Sequence, residues 1–325
     1  MPIDPSAQAV LDILTAPGVP PLDELPPAEA RQAYDGLAAF AGESVAVART
    51  EDLDADGVPV RLYWPEDSGE EPLPVVLWNH GGGFVMGSLD GYDPVVRALC
   101  VTTGCLVVSV DYRLAPEHPF PAQVEDALTV ARWAHAHIAD HGGDPDRMVL
   151  AGDSAGGTLS AVLGHQLHGM FRLQVLLYPM TDLTMSQPSI QENADDYLLT
   201  LAACNYFRAQ YLGEHADLKD PLASPVFADD AQLAGAPPAL VITCELDPLR
   251  DEGEAYAARL REAGVPVEHV RFDGMIHAFF VFGAMIPAAG EALELVAEAV
   301  RKATRLSPSG PEEPGTPSPR TIMAS

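Results

Sequence analysis

The sequence is poor in positive charge. Its 18 lysine and arginine residues stand against 47 aspartate and glutamate residues, which gives a formal net charge of −29, and Lys219 and Lys302 are its only lysines. Because such a chain would be repelled by a nucleic acid or an anionic membrane, the composition argues against both as partners. The excess of arginine over lysine fits a saline habitat and a biased genome equally well.

Cysteine is scarce and follows no recognisable spacing. Cys100, Cys105, Cys204 and Cys244 form no CxxC pair and no regular framework, and Cys244 falls in an apolar run typical of a strand. We therefore expect free, buried thiols in a reducing compartment, which favours a cytoplasmic location.

Long apolar segments are also missing. No apolar run approaches the ~20 residues that a membrane-spanning helix needs. The first six residues carry no basic side chain, and the apolar run at 9–14 is interrupted by Asp12, which is unlike a secretion signal. The sequence thus predicts neither a membrane span nor a signal peptide.

What the sequence does contain is an alternation of strand-like and helix-like runs. Strand-like runs occur at 73–78, 105–110, 148–151, 173–178, 239–244 and 267–272, and all but the last are mainly apolar, which is typical of strands buried in a parallel sheet. Segments of helical character follow them from 94, at 123–141, after 155, at 250–263 and at 288–305. The alternation predicts an α/β fold with a mostly parallel, doubly wound sheet. Two earlier β-rich runs flank a turn at 54–57, so the sheet is predicted to begin antiparallel.

Three segments depart from this alternation. Residues 1–45 hold two short apolar-periodic segments separated by a proline-rich stretch, which predicts two helices outside the sheet. Residues 180–215 interrupt the alternation and are predicted to form an insertion over the strand ends. Residues 307–325 are rich in proline and have no apolar period, which predicts a disordered tail. The main domain is accordingly expected at 46–306.

Ser154 lies where the hydrophobic period changes from that of a strand to that of a helix. The apolar run 148–151 precedes it, and apolar positions recur at helical spacing after it. The sequence at 152–156 matches GxSxG, a sharp turn that exposes a strained serine above the strand ends, with the next N–H aimed at a forming oxyanion. By itself the pattern fits a strand-to-helix turn capped by a serine equally well.

A glycine-rich loop follows the strand predicted at 73–78. Gly81, Gly82 and Gly83 leave backbone N–H groups unshielded and free to turn toward an anionic oxygen. A flexible loop and a phosphate cradle are the alternatives, but a P-loop needs a lysine and a serine or threonine after the glycines, and neither is present. We interpret His80 as a side chain that braces this loop rather than as a base.

A nucleophilic serine needs a histidine as base and a carboxylate to orient that histidine. In folds with this kind of turn, the acid follows the serine in the sequence and the histidine follows the acid. Of His269 and His277, the first lies inside a predicted strand and the second follows that strand, so His277 is the candidate base. Glu245, Asp247 and Asp251 compete for the acid. Asp247 is preferred because a following proline fixes its loop, whereas Asp251 belongs to the first turn of a predicted helix.

Taken together, the motifs resemble those of the bacterial hormone-sensitive-lipase family (family IV) of α/β-hydrolase carboxylesterases. The matching stretches, in the family's order, are HGGGF at 80–84, YRLAPEHPFPA at 112–122, GDSAGG at 152–157, DPLRDEG at 247–253 and GxxHxF at 274–279. One departure is Ala278, where glycine is common in the family.

The resemblance implies an α/β-hydrolase fold with a helical cap made of residues 1–45 and 180–215. It implies a catalytic triad of Ser154, Asp247 and His277. The N–H groups implied for the oxyanion hole are those of Gly82, Gly83 and Ala155.

For function, the resemblance implies a serine carboxylesterase that hydrolyses small-molecule esters through an acyl-enzyme, without metal or cofactor. The resemblance also implies a preference for acyl chains of about two to eight carbons. A limit of some kind is expected, because a closed pocket rewards each methylene only until it is full. A homodimer is one possible assembly. The alternatives are an amidase or lactonase on the same triad, and a binding protein like the plant gibberellin receptors, which resemble this family but have lost the catalytic histidine. The presence of His277 favours the enzyme.

Three charged side chains inside these motifs are predicted to be structural. Arg113 and Glu117 are interpreted as an ion pair that fixes their loop against the elbow. Asp153, next to the candidate nucleophile, is interpreted as a carboxylate that braces the surrounding loops.

Overall fold

An eight-stranded sheet forms the centre of the computed structural model, which describes residues 2–66, 71–213 and 217–305. The strands are β1 (Arg49–Ala55), β2 (Val58–Trp64), β3 (Leu73–Asn79), β4 (Leu106–Val110), β5 (Gly143–Asp153), β6 (Leu173–Leu177), β7 (Ala239–Leu246) and β8 (Val267–Ile276). Their order is β1-β2-β4-β3-β5-β6-β7-β8; β2 pairs antiparallel with β1 and β4, and all other pairs are parallel. The predicted mostly parallel sheet with an antiparallel start is confirmed.

Helices cover the sheet and extend beyond it. They are α1 (Pro5–Leu14), α2 (Pro27–Asp35), α3 (Asp93–Thr103), α4 (Ala122–His137), α5 (Ala155–Gln166), α6 (Ser189–Glu192), α7 (Leu201–Leu212), α8 (Asp230–Ala234), α9 (Arg250–Glu262) and α10 (Pro287–Thr304). Proline occupies the first turn of α1, α2, α3 and α10, where its missing N–H costs nothing. The tail predicted at 307–325 lies outside the described residues.

Both faces of the sheet are buried. Along β3, Leu77 belongs to one apolar cluster and its neighbours Val76 and Trp78 to the other, because successive side chains of a strand point to opposite faces. α4 and α5 contribute to the first cluster, and α3 and α10 to the second. Burial on both faces explains why the central strands read as unbroken apolar runs in the sequence.

The chain leaves the sheet for a long excursion between β6 and β7. This excursion covers 178–238 and contains α6, α7 and α8, so it is longer than the 180–215 inferred from the sequence. Its last helix, α8, has only five residues and is held by a capping box between Asp229 and Gln232. A helix that short has too few apolar positions to show a period.

All four cysteines are free and buried, as predicted. Burial raises the pKa of the Cys105 thiol to about 11, so this thiol stays protonated at neutral pH. Within 2–66, 71–213 and 217–305, no helix is long and apolar enough to cross a bilayer.

His165 on α5 is buried, and neither of its ring nitrogens has a hydrogen-bond partner among the described residues. Burial lowers its pKa from 6.5 to about 4. The unfolded chain therefore binds this proton below pH 6.5 while the folded chain does not, and stability is lost as pH falls toward 4. At 1.36 kcal/mol per pKa unit, the loss from this one group reaches about 3 kcal/mol.

We expect His165→Leu to reduce the acid sensitivity of the fold. Between about pH 7 and pH 4.5, its melting temperature should fall less than that of the wild type, because the group that protonates only on unfolding is gone. Exposed His135 provides the control, and His135→Gln should keep the wild-type pH dependence. Identical pH dependences of the wild type and His165→Leu would contradict the expectation.

Candidate active site

Ser154 occupies the sharp turn between β5 and α5. Its backbone has φ 53° and ψ −117°, a strained conformation for a residue with a side chain, and its N–H donates to the Leu177 carbonyl at 2.8 Å. The turn lies against the end of β3, where a Cβ on Gly156 would come within 2.0 Å of the Asn79 carbonyl oxygen. Only glycine lets the start of α5 come this close to the backbone of β3. Helix α5 therefore begins directly beneath the loop that follows β3.

The structure brings Ser154, His277 and Asp247 together from the ends of three strands. Ser154 Oγ lies 2.9 Å from His277 Nε2, and His277 Nδ1 lies 2.8 Å from Asp247 Oδ2. The other carboxylate oxygen of Asp247 accepts the Leu249 N–H at 2.8 Å. Because the carboxylate can only accept, the imidazole proton lies on Nδ1 and the lone pair of Nε2 faces the serine.

The rival acids lie elsewhere. Glu245 Oε2 accepts the Gly274 N–H at 2.7 Å, and Asp251 accepts the Ser189 N–H at 2.8 Å. His269, the rival base, is half-buried and contacts the Thr243 hydroxyl at 2.9 Å. The choice among the candidates made from the sequence therefore agrees with the contacts.

The excursion between β6 and β7 supports the loop that carries Asp247. Asn193 donates to the Asp247 carbonyl at 3.1 Å, and the Ser189 hydroxyl donates to the Pro248 carbonyl at 2.6 Å. In return, fully buried Glu252 accepts two N–H groups at the start of the excursion. Burial raises the pKa of Glu252 well above its usual range. These contacts were not foreseen, because isolated polar residues in loops match no motif.

The glycine loop presents two unused N–H groups. Gly82 and Gly83 have φ of 108° and 62°, and within the described part of the chain neither N–H donates a hydrogen bond. Ala155 is the first residue of α5, where backbone N–H groups have no intrahelical acceptor. The ring of Phe207 on α7 packs against Gly83, where a Cβ would lie 2.4 Å from the ring. Three donors are thus available near Ser154.

His80 contacts the loop from inside. Its Nδ1 lies 2.7 Å from the Gly81 carbonyl, and its ring stacks on Tyr112 with centroids 4.3 Å apart. The Tyr112 hydroxyl donates to the His80 carbonyl at 2.6 Å. Burial lowers the pKa of His80 to about 4, so the imidazole is neutral at pH 7. These contacts agree with its interpretation as a side chain that braces the loop.

Asp153 is a buried carboxylate beside the elbow. It accepts the Gly81 N–H at 2.8 Å and the Tyr92 hydroxyl at 3.0 Å. Burial raises its pKa to about 6, an effect that the two donors partly oppose, so Asp153 is ionised at neutral pH. Tyr92 was not identified from the sequence, because a lone tyrosine in a loop carries no signal of its own.

The predicted ion pair between Arg113 and Glu117 is wrong. Arg113 binds Asp126 on α4 at 2.7 Å, and Glu117 binds Arg31 on α2 at 2.5 Å. Both ion-pair partners come from helices that fold over the loop, and proximity in sequence does not reveal them. Arg31 also donates to the Val85 carbonyl at 2.8 Å, so the contact ties α2 to the glycine loop.

The chain is similar to known α/β hydrolases and esterases. A family model described as the alpha/beta hydrolase fold matches residues 76–281. The chain is 44% identical over 244 residues to carboxylesterase NlhH of Mycobacterium tuberculosis, covering 72% of this chain and 75% of that protein. It is 36% identical over 318 residues to ethyl acetate hydrolase of Pseudomonas putida, covering 93% and 99%. A solved structure of a thermostable esterase from Pseudomonas putida ECU1011 aligns with a TM-score of 0.88 at 32% identity, covering 94% of this chain and 99% of that one.

Proposed function

Because this chain belongs to the α/β-hydrolase fold family, and within it to the family IV carboxylesterases of the hormone-sensitive-lipase type, we propose that Ser154, His277 and Asp247 are its catalytic triad. The chain is a carboxylic ester hydrolase. The observation that carries the proposal is the unbroken series of contacts from Ser154 Oγ through both nitrogens of His277 to Asp247 Oδ2, at 2.9 and 2.8 Å.

The proposed reaction follows from these contacts. His277 Nε2 takes the Ser154 proton as Oγ bonds to the ester carbonyl carbon, and the carbonyl oxygen becomes an oxyanion. The N–H groups of Gly82, Gly83 and Ala155 donate to that oxyanion. The intermediate then expels the alcohol, which leaves with the proton held by His277.

Deacylation repeats these steps with water. His277 takes a proton from a water molecule that attacks the acyl-enzyme, the same N–H groups bind the second oxyanion, and the acid leaves as Ser154 regains its proton. Asp247 remains ionised throughout and stabilises the imidazolium that forms in each half-reaction.

We also propose that the acyl site is confined, which determines the range of esters. Ser154 is 7% exposed and His277 is 6% exposed, and Phe207 lies over Gly83. An acyl chain must fit among packed side chains, where each buried methylene gains about 0.8 kcal/mol until overpacking costs about 1–3 kcal/mol.

The kcat/KM for ester hydrolysis should therefore be highest for short acyl chains. Across p-nitrophenyl esters from acetate to palmitate, kcat/KM is expected to rise over the first few carbons, reach its maximum within about two to eight carbons, and then fall steeply. The measurement is initial-rate kinetics on the ester series, with the matching p-nitroanilides alongside to test for amidase activity. A maximum at palmitate would refute the confined site, and faster turnover of the anilides would favour the amidase alternative.

A triglyceride emulsion serves as the control for lipase behaviour. Adsorption to lipid needs a contiguous apolar patch. Among the described residues, the large apolar side chains that are more than a third exposed are Ile13, Val19, Val45, Val101 and Leu218, from several separate segments. We therefore expect no jump in rate when the triglyceride forms droplets. The homodimer and the cytoplasmic location remain predictions.

A further inference from the structure

Hydrogen bonds link the N-terminal helices to the glycine loop. The hydroxyl oxygens of Tyr34 on α2 and Tyr92 lie 2.8 Å apart, and Tyr92 donates to Asp153 Oδ2 at 3.0 Å. Asp153 Oδ1 accepts the Gly81 N–H at 2.8 Å. The series therefore runs without interruption from α2 to the residue directly before Gly82.

Only one arrangement of protons satisfies this series. The pKa values of Tyr34 and Tyr92 are both raised, first by burial and second by the negative charge of Asp153. Both hydroxyls are therefore protonated at neutral pH. Tyr92 has one proton, and the carboxylate, which can only accept, takes it. Tyr34 must then donate to Tyr92, whose oxygen also receives the Gly81 N–H at 3.1 Å.

Asp153 and Tyr92 also leave no room for a side chain at position 81. A Cβ on Gly81 would lie 2.5 Å from Asp153 Oδ2 and 2.8 Å from the Tyr92 hydroxyl. Only glycine therefore fits beside these oxygens, and its N–H binds both residues. Oxyanion donors work only at about 2.7–3.1 Å from the developing charge, so a small displacement of this loop weakens them.

We propose that Tyr92 and Tyr34 are positioning residues for ester hydrolysis. Through Asp153 they hold the glycine loop in the geometry that binds the oxyanion, so that docking of α2 controls kcat rather than substrate binding. The inference rests on the oxyanion hole proposed above, because positioning the loop has no kinetic effect unless its N–H groups act in the reaction.

The test compares three conservative variants. Tyr92→Phe removes the donor to Asp153, and Tyr34→Phe removes only the outer link. Tyr63→Phe is the matched control. Fully buried Tyr63 also donates to a carboxylate, Asp93, at 3.1 Å, but no hydrogen bond within the described ranges links it to Gly81.

We expect Tyr92→Phe to lower kcat more than Tyr34→Phe, because Tyr92 binds Asp153 directly. Tyr92→Phe removes a hydrogen bond to a charged group and should lower kcat about 10- to 100-fold. Tyr34→Phe should lower kcat about 3- to 10-fold, and in both variants KM should stay within about twofold of the wild type. Tyr63→Phe should lower the melting temperature and leave kcat unchanged.

A trifluoromethyl ketone provides a readout that a purely structural role would not move. Its carbonyl carbon bonds to Ser154 Oγ, the serine proton passes to His277, and the hemiketal oxyanion occupies the oxyanion hole. The inhibition constant should weaken in parallel with kcat/KM in Tyr92→Phe and Tyr34→Phe. The corresponding methyl ketone, which forms little hemiketal, should bind all variants equally.

Two results would overturn the inference. The first is that Tyr92→Phe and Tyr34→Phe lose stability as Tyr63→Phe does but keep the kcat and the inhibitor affinity of the wild type. The other is a rise in KM at constant kcat, which would assign the tyrosines to substrate binding. Failure of the proposed function is separate, since it would appear as trifluoromethyl ketone affinity that survives Ser154→Ala.

Discussion

Ser154→Ala is expected to lower kcat by a factor of about 10⁶ while the melting temperature stays close to that of the wild type. Among the described residues the hydroxyl contacts only His277, and alanine keeps the backbone of the elbow. The residual rate would come from substrate binding and the oxyanion donors alone. The measurement is p-nitrophenyl ester turnover with thermal unfolding of the same samples.

Ser109→Ala is the matched control. Ser109 is fully buried in β4, and its hydroxyl has no hydrogen-bond partner among the described residues, so the same chemical change should leave kcat intact. If the Ser154 variant retained ester turnover within about tenfold of the wild type, a role as nucleophile would be refuted, since every triad of this type depends on its nucleophile.

Asp247→Asn is expected to cost about 10⁴ in kcat, because an amide reverses the donor and acceptor at His277. The Leu249 N–H already donates to Asp247 Oδ1, so an asparagine would turn its carbonyl oxygen toward Leu249 and its NH₂ toward His277 Nδ1. Nδ1 would then accept and Nε2 would carry the proton. The imidazole would have no lone pair left to take the Ser154 proton.

Glu245→Gln is the comparison for the acid. Glu245 binds the Gly274 N–H in the segment that leads to His277, and a glutamine oxygen can still accept that bond, so a far smaller loss of kcat is expected. Both variants should be assayed across the same pH range, so that a shifted optimum is not mistaken for a lost rate. A larger effect at Glu245 than at Asp247 would reassign the acid.

The turn at Ser154 and the strand-end position of His277 could be predicted from sequence, because each follows from the pattern of strands and helices. A strand-to-helix turn around Ser154 follows from a change of hydrophobic period within a few residues. The position of His277 follows from its place after the last strand, since the carboxyl ends of parallel strands meet at one edge of the sheet. The first inference uses only neighbouring residues in the chain, and the second also uses the expected parallel sheet.

The tyrosines that support the site could not be predicted in this way. Tyr34 and Tyr92 are 58 residues apart, and neither lies in a pattern that distinguishes it from other tyrosines. The wrong pairing of Arg113 with Glu117 has the same origin, because a charged side chain binds whichever opposite charge the tertiary fold presents. The sequence did not reveal the full 178–238 excursion between β6 and β7, because short helices stabilised by caps lack an apolar period.

Backbone atoms, rather than side chains, hold the elbow against β3. At Gly156 any larger residue would collide with the Asn79 carbonyl, so this position has almost no mutational tolerance. The contacts from outside the sheet are different in kind: Phe207 meets Gly83, and Tyr34 meets Tyr92, through side chains that can be exchanged one at a time. In evolutionary terms, single substitutions can change the side chains around the glycine loop while the backbone of the elbow stays fixed.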